Sequence, residues 1–221
     1  MKQIYFKENL FSLFPSGILY WPNELILIVS DLHLEKSSYY AKYGKFLPPY
    51  DSFDTLVKLK QNLEKLKVKK IILLGDIFHD DKAYERLGKD SKLILDYITN
   101  NFYTIFVFGN HDKGIKIPNV EKCPNYKVRN INFSHQPTNI RFNEIFGHYH
   151  PKVYVKFGSK KISKNCFIVT KKKICLPAFG SLTGGLDVKN KVFDNFLEEQ
   201  RDYYLIDEKN IFKYSSKTFN L

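Results

Sequence analysis

Three short runs that are apolar at almost every position constrain the fold of this chain more than any other feature. They are LILIV at 25–29, IILL within segment 69–76 and YTIFVF within segment 102–110. Strands without polar alternation are typical of sheets that are covered on both faces. Segment 51–67 has apolar residues at helical spacing, and residues 91–101 form the end of a second helix. Strands that alternate with helices predict an α/β sheet.

The second half of the chain has a different pattern. Between residues 126 and 215, short strand-like runs alternate with tight turns, and only segment 190–202 is suited to a short helix. The sequence contains no internal repeat and no low-complexity linker. Because 221 residues fit one domain, we expect a single domain over residues 1–221.

Polar side chains follow the predicted strands at the points where the strands end. They are Asp31, His33, Asp76, His79, Asn110, His111 and Asp112, followed later in the chain by His135, His148 and His150. All six histidines of the chain occur in such places. In open α/β sheets, ligands bind at the carboxyl ends of the strands, so these side chains are expected to converge on one site.

The donor types indicate a metal site. Imidazoles with carboxylates and an amide oxygen, and without a thiolate, suit Mn²⁺, Fe or Zn²⁺ better than Ca²⁺. Asp31 and His33 alternate on a segment that we expect to be extended, so their side chains should point to the same side, and the same holds for His148 and His150. Each pair is therefore expected to chelate one side of the site. So many donors exceed the needs of one ion but suit two ions about 3.5–4 Å apart that share a bridging carboxylate.

The ordered set D-x-H, GD, GNHD, a single His and G-H-x-H, over residues 31–150, resembles the calcineurin-like metallophosphoesterase superfamily. The segments SDLHLEK, GKFLPP, GDIFHD, FGHYHP and LPAFGSLTGG are similar to the DNA-ligase-associated phosphoesterases, which are described as DNA endonucleases or phosphoesterases. Ser134 stands where many members have Gly. The resemblance implies an α/β metallophosphoesterase fold with two packed mixed β-sheets flanked by helices, in four layers α-β-β-α.

The resemblance also implies a role for each polar side chain. Two divalent ions, most often Mn²⁺ with Fe, Zn²⁺ or Ni²⁺ as alternatives, would be held by Asp31, His33 and His150 and by Asn110, His135 and His148, with Asp76 between them. A hydroxide between the ions would attack phosphorus in line, and His111, oriented by Asp112, would protonate the leaving group. Lys36 and His79 are expected on the substrate side.

Three classes of function remain open. The first is a DNA phosphodiesterase or single-strand endonuclease linked to DNA repair, with a ligase or helicase as a possible partner. The second is a phosphoesterase for small molecules such as cyclic nucleotides or nucleotide-linked lipids. The third is a scaffold without catalysis, which an intact set of Asp31, Asp76, Asn110 and His111 disfavours.

Charge favours a nucleic-acid substrate. The net charge is +12, and between Ile145 and Leu186 there is no acidic residue but eight lysines, namely 152, 156, 160, 161, 164, 171, 172 and 173. These lysines predict a basic lip for a polyanion, or alternatively a solvated hairpin in a Lys-rich chain. Four aromatic residues interleaved with Lys36, Lys42 and Lys45 could stack unpaired bases or pack a loop against the core: Tyr39, Tyr40, Tyr43 and Phe46.

Cysteine usage and hydropathy indicate a cytoplasmic protein. The cysteines, Cys123, Cys166 and Cys175, are widely spaced and predict neither a disulfide framework nor a zinc knuckle. The N-terminal segment lacks the continuous apolar stretch of a signal peptide. The longest strongly apolar run, at 25–29, is too short to cross a bilayer, so no membrane association is expected.

Overall fold

The computed structural model describes residues 1–138, 142–157 and 160–215, and leaves the side chains at 155–157 and 160–161 undescribed. In these residues the first sheet has seven strands in sequential order: β1 (Lys2–Phe6), β2 (Asn9–Leu13), β3 (Leu19–Trp21), β4 (Ile26–Ser30), β5 (Lys70–Leu74), β6 (Tyr103–Val107) and β7 (Val120–Cys123). The first four strands pair antiparallel, whereas β4 to β7 pair parallel. The carboxyl ends of β4, β5 and β6 therefore lie side by side.

The second sheet has eight strands in the described residues: β8 (Asn125–Val128), β9 (Ile131–Ser134), β10 (Glu144–Phe146), β11 (Lys152–Phe157), β12 (Lys160–Val169), β13 (Lys173–Cys175), β14 (Asp202–Asp207) and β15 (Asn210–Ser215). Their order is β15-β14-β12-β13-β10-β9-β8, and β11 pairs with β12. Strands β9, β10 and β13 are parallel to one another, and the other pairs are antiparallel. The sheet is therefore mixed, as expected.

Four helices cover the outer face of the first sheet: α1 (Lys36–Ala41), α2 (Asp51–Lys65), α3 (Ala83–Arg86) and α4 (Lys89–Asn101). Leu56, Leu59 and Leu63 of α2 are buried against this face, because their spacing places them on one side of the helix. Alternate residues of β4, such as Leu27, face these helices. The intervening residues, such as Ile28, face the second sheet. Both faces of the strand are thus apolar.

The outer face of the second sheet is covered by loops and a short 3₁₀ helix at Lys191–Asn195. Phe193, Phe196 and Leu197 pack there against Phe146 and other residues of the sheet. The layers are therefore helices, sheet, sheet and a thin layer of turns, and segment 190–202 holds the short helix that was predicted. None of the helices in the described residues is long and apolar enough to cross a lipid bilayer.

The three apolar runs are confirmed as the parallel strands β4, β5 and β6. Sequence reasoning missed the first hairpin, β1 and β2, whose turn residues Lys7 and Glu8 adopt left-handed backbone conformations. A parallel bridge between Ser30 and Ala178 joins the two sheets at the end of β4. It brings the carboxyl ends of both sheets to the same edge of the molecule.

Candidate metal centre

Two groups of potential metal ligands lie at this shared edge. The ligand atoms of each group are within 4.8 Å of one another; one group is Asp31, His33 and His150, and the other is Asp76, His135 and His148. We call these six residues the metal centre. In the first group, the Nε2 atoms of His33 and His150 are 3.3 Å apart, and His150 Nε2 is 3.1 Å from Asp31 Oδ1. In the second group, His135 Nε2 lies 3.3 Å from Asp76 Oδ2 and 3.0 Å from His148 Nδ1.

The backbone that presents these side chains is left-handed and not extended. Asp31, His33, Asp76, His148 and His150 have φ values of 54°, 47°, 46°, 70° and 46°. Such values are uncommon for residues other than glycine and concentrate at functional sites. The expectation of extended pairs was therefore wrong, since sharp turns after the strands aim the side chains. The geometric argument that put His148 and His150 on one side of the site was also wrong, because they belong to different groups, and this division is the one that the family resemblance implies.

Glycines let the strand ends approach closely. A side chain at Gly147 would collide with the Asp31 carboxylate and with Ser30, and one at Gly109 would collide with Asp76. The φ of Gly109 is not left-handed, so this glycine serves to leave room for the Asp76 carboxylate.

The electrostatics of the first group suit a cation. Asp31 is completely buried, and among the described residues its Oδ1 atom has no hydrogen-bond donor despite the nearby His150 nitrogen. Burial opposes ionisation of Asp31, but the interactions with His150 and His135 outweigh it and lower the pKa of the carboxyl. Burial lowers the pKa of His33 to about 3, so this imidazole is neutral. A buried carboxylate oxygen beside imidazole nitrogens fits a divalent ion.

The electrostatics of the second group also suit a cation. Burial disfavours the charged form of His135, but the hydrogen bond to Asp76 and the charge of Asp31 outweigh it and raise the pKa of His135 to about 9. The pKa of Asp76 is lowered below its usual range, because hydrogen bonding and charge from His135 overcome the effect of burial. Positive charge therefore stabilises this group, and the donor set fits a divalent cation.

Asn110 and His111 lie on the loop that follows β6. Their backbone N–H groups donate to Asp76 Oδ1 at 3.1 and 3.3 Å, which ties the loop to the second ligand group. The His111 side chain is 53% exposed, and its Nε2 atom is 4.0 Å from Asp76 Oδ2. The imidazole therefore lies at the rim of the metal centre, within reach of a bound molecule.

The contacts of Asp112 differ from the expectation that its carboxylate orients the His111 imidazole. Its carboxylate is buried and accepts backbone N–H groups of Ile77 at 2.6 Å and Gly109 at 2.7 Å. Burial raises its pKa to about 6. In the part of the chain that the structure describes, no hydrogen bond joins this carboxylate to the His111 imidazole. Asp112 therefore holds the backbone of the two strand-end loops together, and any effect on His111 passes through that backbone.

His79 lies beside the first ligand group. Its Nδ1 atom is 3.5 Å from His33 Nδ1, and its ring is stacked on that of His111 with centroids 6.1 Å apart. The ring centroids of Tyr39 and Tyr40 lie 4.8 and 5.6 Å from that of His79. Burial and the charge of Lys36 lower the pKa of His79 to about 4. The neutral His79 imidazole therefore lies between the metal centre and the rings of Tyr39 and Tyr40, which we call the aromatic wall.

The lysines that were predicted to form a basic lip do not lie together on one surface. Lys173 is completely buried in an ion pair with Glu144, so its assignment to an exposed lip was wrong. Lys171 and Lys172 precede β13, and because β13 runs parallel to β10, they lie at the opposite end of the sheet from the metal centre. Lys164 pairs with Asp207. The side chains of Lys156, Lys160 and Lys161 lie outside the described residues.

One contact of the metal centre was missed by sequence reasoning. The side-chain nitrogen of Gln136 is 3.1 Å from His148 Nε2. Its position directly after His135 was the only available signal. Gln136 therefore restrains the orientation of the His148 ring at the exposed side of the second ligand group.

The fold and the two ligand groups together define a metal-dependent phosphoesterase. A family model for calcineurin-like phosphoesterases matches residues 25–210. The chain belongs to this family, which implies that it uses divalent metal ions and hydrolyses phosphoric esters.

The structure is also similar to solved structures. A nuclease named MPE from Pseudomonas putida aligns with a TM-score of 0.75 and 21% identity, over 96% of this chain and 99% of the nuclease. Two Vps29 structures align more weakly. A double mutant from Entamoeba histolytica has a TM-score of 0.35 and 16% identity, over 88% of this chain and 99% of that one. The Chaetomium thermophilum protein has a TM-score of 0.36 and 13% identity, over 86% of this chain and 94% of that one. No curated protein matches the sequence significantly.

Proposed function

We propose that this protein is a two-metal phosphodiesterase that cleaves DNA and prefers unpaired strands. The observation that carries the proposal is the pair of adjoining ligand groups, in which His135 Nδ1 lies 3.8 Å from Asp31 Oδ1. Membership of the calcineurin-like phosphoesterase family supports the chemistry. The fold shared with a bacterial nuclease supports a nucleic-acid substrate.

In this proposal Asp31, His33 and His150 would hold the first ion, and His135 and His148 would hold the second, with Asp76 shared by both. Asn110 would complete the second set, as the family resemblance implies. When bound, two divalent cations neutralise phosphoryl oxygens and lower the pKa of the water that attacks phosphorus. Mn²⁺ is the proposed metal, with Fe, Zn²⁺ or Ni²⁺ as alternatives, because the donors are imidazole, carboxylate and amide oxygen.

His111 is the proposed general acid. Its exposed imidazole lies at the rim of the metal centre while its backbone is held by Asp76. From this position it donates a proton to the leaving oxygen of the ester, a task for which histidine is the side chain most often used. Asp112 keeps this loop against the loop after β5. It is therefore a positioning residue.

Lys36 and His79 are proposed to meet the substrate. Lys36 begins α1, close to the first ligand group along the chain, and the ring of His79 lies between that group and the aromatic wall. A cation beside a metal centre attracts the phosphate backbone. The resemblance to DNA-ligase-associated phosphoesterases supports a role in DNA repair in the cytoplasm, with a ligase or helicase as partner.

The deciding experiment compares bis-p-nitrophenyl phosphate with a labelled single-stranded oligonucleotide, in the presence of Mn²⁺ or EDTA and over a salt series. We expect cleavage of both substrates, loss of both with EDTA, and steep salt dependence for the oligonucleotide alone, because only that substrate releases many counterions. Cleavage of the small diester alone would indicate that the substrate is a small molecule and not a nucleic acid. Metal binding without hydrolysis would favour a scaffold.

A further inference from the structure

A cavity with no assigned role lies beside the metal centre. Its volume is about 480 Å³, and its lining residues are Lys36, Tyr40, Lys45, Leu47 and the loop 181–184. This volume is within the roughly 300–1,000 Å³ of pockets that bind small molecules. The cavity is therefore large enough for a nucleobase with its sugar.

The cavity is connected to the metal centre through aromatic side chains. The ring of Tyr40, in the cavity wall, lies 5.6 Å from the ring of His79. The His79 ring in turn lies 5.6 Å from that of His33. A group in the cavity would therefore be separated from the first ligand group by two side chains, Tyr40 and His79, which suits a part of the substrate that neighbours the reacting phosphate.

Both walls of the cavity are anchored on the same part of α2. In α1, the backbone N–H and the hydroxyl of Ser37 donate to the Asp51 carboxylate at 3.1 and 2.6 Å. On the opposite wall, the Ser181 hydroxyl donates to the Asp51 carbonyl at 3.2 Å, and its N–H donates to Thr55 Oγ1 at 3.2 Å. Because these two walls rest on one helix, they are held in place before a ligand binds, which lowers the cost of ordering them.

The lining residues suit a ligand in which a flat aromatic group is attached to an anion. Tyr40 and Leu47 offer an aromatic ring and an apolar side chain, and Lys36 and Lys45 offer positive charge. Base–aromatic stacking is tolerant of sequence, because every nucleobase has a π-face. The adjacent lysines complement the phosphates on either side of such a base.

We propose that this cavity binds the nucleobase next to the scissile phosphate of an unpaired strand. The inference rests on the proposed phosphodiesterase function and names its substrate class. A base that remains paired in a duplex cannot enter a side cavity without leaving the stack. The cavity therefore gives a physical reason for a preference for unpaired strands.

The test compares two chromogenic diesters with the same leaving group, thymidine 5′-(p-nitrophenyl phosphate) and methyl p-nitrophenyl phosphate. We expect the wild-type protein to have a kcat/KM about 10- to 100-fold higher for the nucleoside diester, the range that one stacked base supplies. Tyr40→Ala should bring this ratio close to one, whereas Tyr40→Phe should retain it. The matched control is Tyr5→Ala, since Tyr5 is 80% exposed on β1 and should leave the ratio unchanged.

The outcomes separate this inference from the proposed function. Equal kcat/KM values for the two diesters in the wild-type protein, or a ratio that survives Tyr40→Ala, would overturn the cavity assignment and leave the phosphodiesterase intact. Failure to hydrolyse either diester would overturn the proposed function. In EDTA-treated protein, saturation-transfer NMR should detect thymidine on the wild type and on Tyr40→Phe, and an undiminished signal on Tyr40→Ala would contradict the inference.

Discussion

Two clusters of buried polar side chains lie at opposite ends of β10, and they are built in opposite ways. At the start of the strand, the Glu144 carboxylate accepts hydrogen bonds from Ser134 Oγ at 2.7 Å and Thr138 Oγ1 at 2.9 Å, and it pairs with Lys173. Beyond the end of the strand, Asp31 Oδ1 is buried without a donor among the described residues, and the Nε2 atoms of His33 and His150 face each other.

The difference shows how a structural cluster can be told from a functional one. The Glu144 cluster satisfies its own charges and hydrogen bonds, so nothing needs to be added. The metal centre gathers a carboxylate oxygen and imidazole nitrogens around one point, and a cation between them would serve as the partner of all of them at once. Substitutions should therefore affect activity at one end and stability at the other.

The largest effect is expected from Asp76→Asn. It keeps the shape of the side chain but removes the charge that both ions would share, and we expect roughly a 10³- to 10⁵-fold loss of kcat/KM, because several kcal/mol of charge stabilisation is lost. The measurement is metal content by mass spectrometry together with diester hydrolysis. Glu144→Gln is the matched control and should keep its metal. Full metal content and turnover in Asp76→Asn would show that the reaction occurs elsewhere.

His111→Ala should separate catalysis from metal binding. The imidazole is exposed at the rim and absent from both ligand groups, so the variant should keep both ions while turnover falls about 10²- to 10⁴-fold. Lys113→Ala, on the same loop, serves as the control. Loss of metal from His111→Ala would place this residue among the ligands.

Lys173→Met should act on stability. Removing one partner of a buried ion pair leaves an uncompensated charge, and we expect the free energy of unfolding to fall by about 3–5 kcal/mol, measured by urea denaturation. The double variant Lys173→Met with Glu144→Leu should recover part of the loss, while metal content per folded molecule stays unchanged. A change in metal affinity would mean that the two ends of β10 are coupled.

Gly147→Ala should produce the smallest effect, with metal affinity about 10- to 100-fold lower, as for other groups that orient ligands. The added methyl group would meet the Asp31 carboxylate and displace it. Titration with Mn²⁺ measures the affinity. Gly114→Ala is the control, because nothing lies within 4 Å of a Cβ there. Equal affinities in the two variants would show that Asp31 tolerates displacement.

The sequence by itself determined the central strands and the chemistry of the site. Unbroken apolar runs can be buried only in a sheet that is covered on both faces, and polar residues directly after such runs must gather at the carboxyl ends. That reasoning placed β4, β5 and β6 and brought Asp31, Asp76 and the loop at Asn110 to one edge.

Only the tertiary structure decided how the backbone aims the side chains into the two ligand groups and which lysines are exposed. His148 and His150 separate because left-handed turns, stabilised by contacts distant in sequence, aim them apart. Lys173 resembles its neighbours Lys171, which is exposed, and Lys172, which is half-buried, but the register of β13 against β10 places it beside Glu144. Burial and pairing of a side chain depend on strands that are distant in sequence but adjacent in the fold, and the local sequence around a residue does not show which strands will be adjacent.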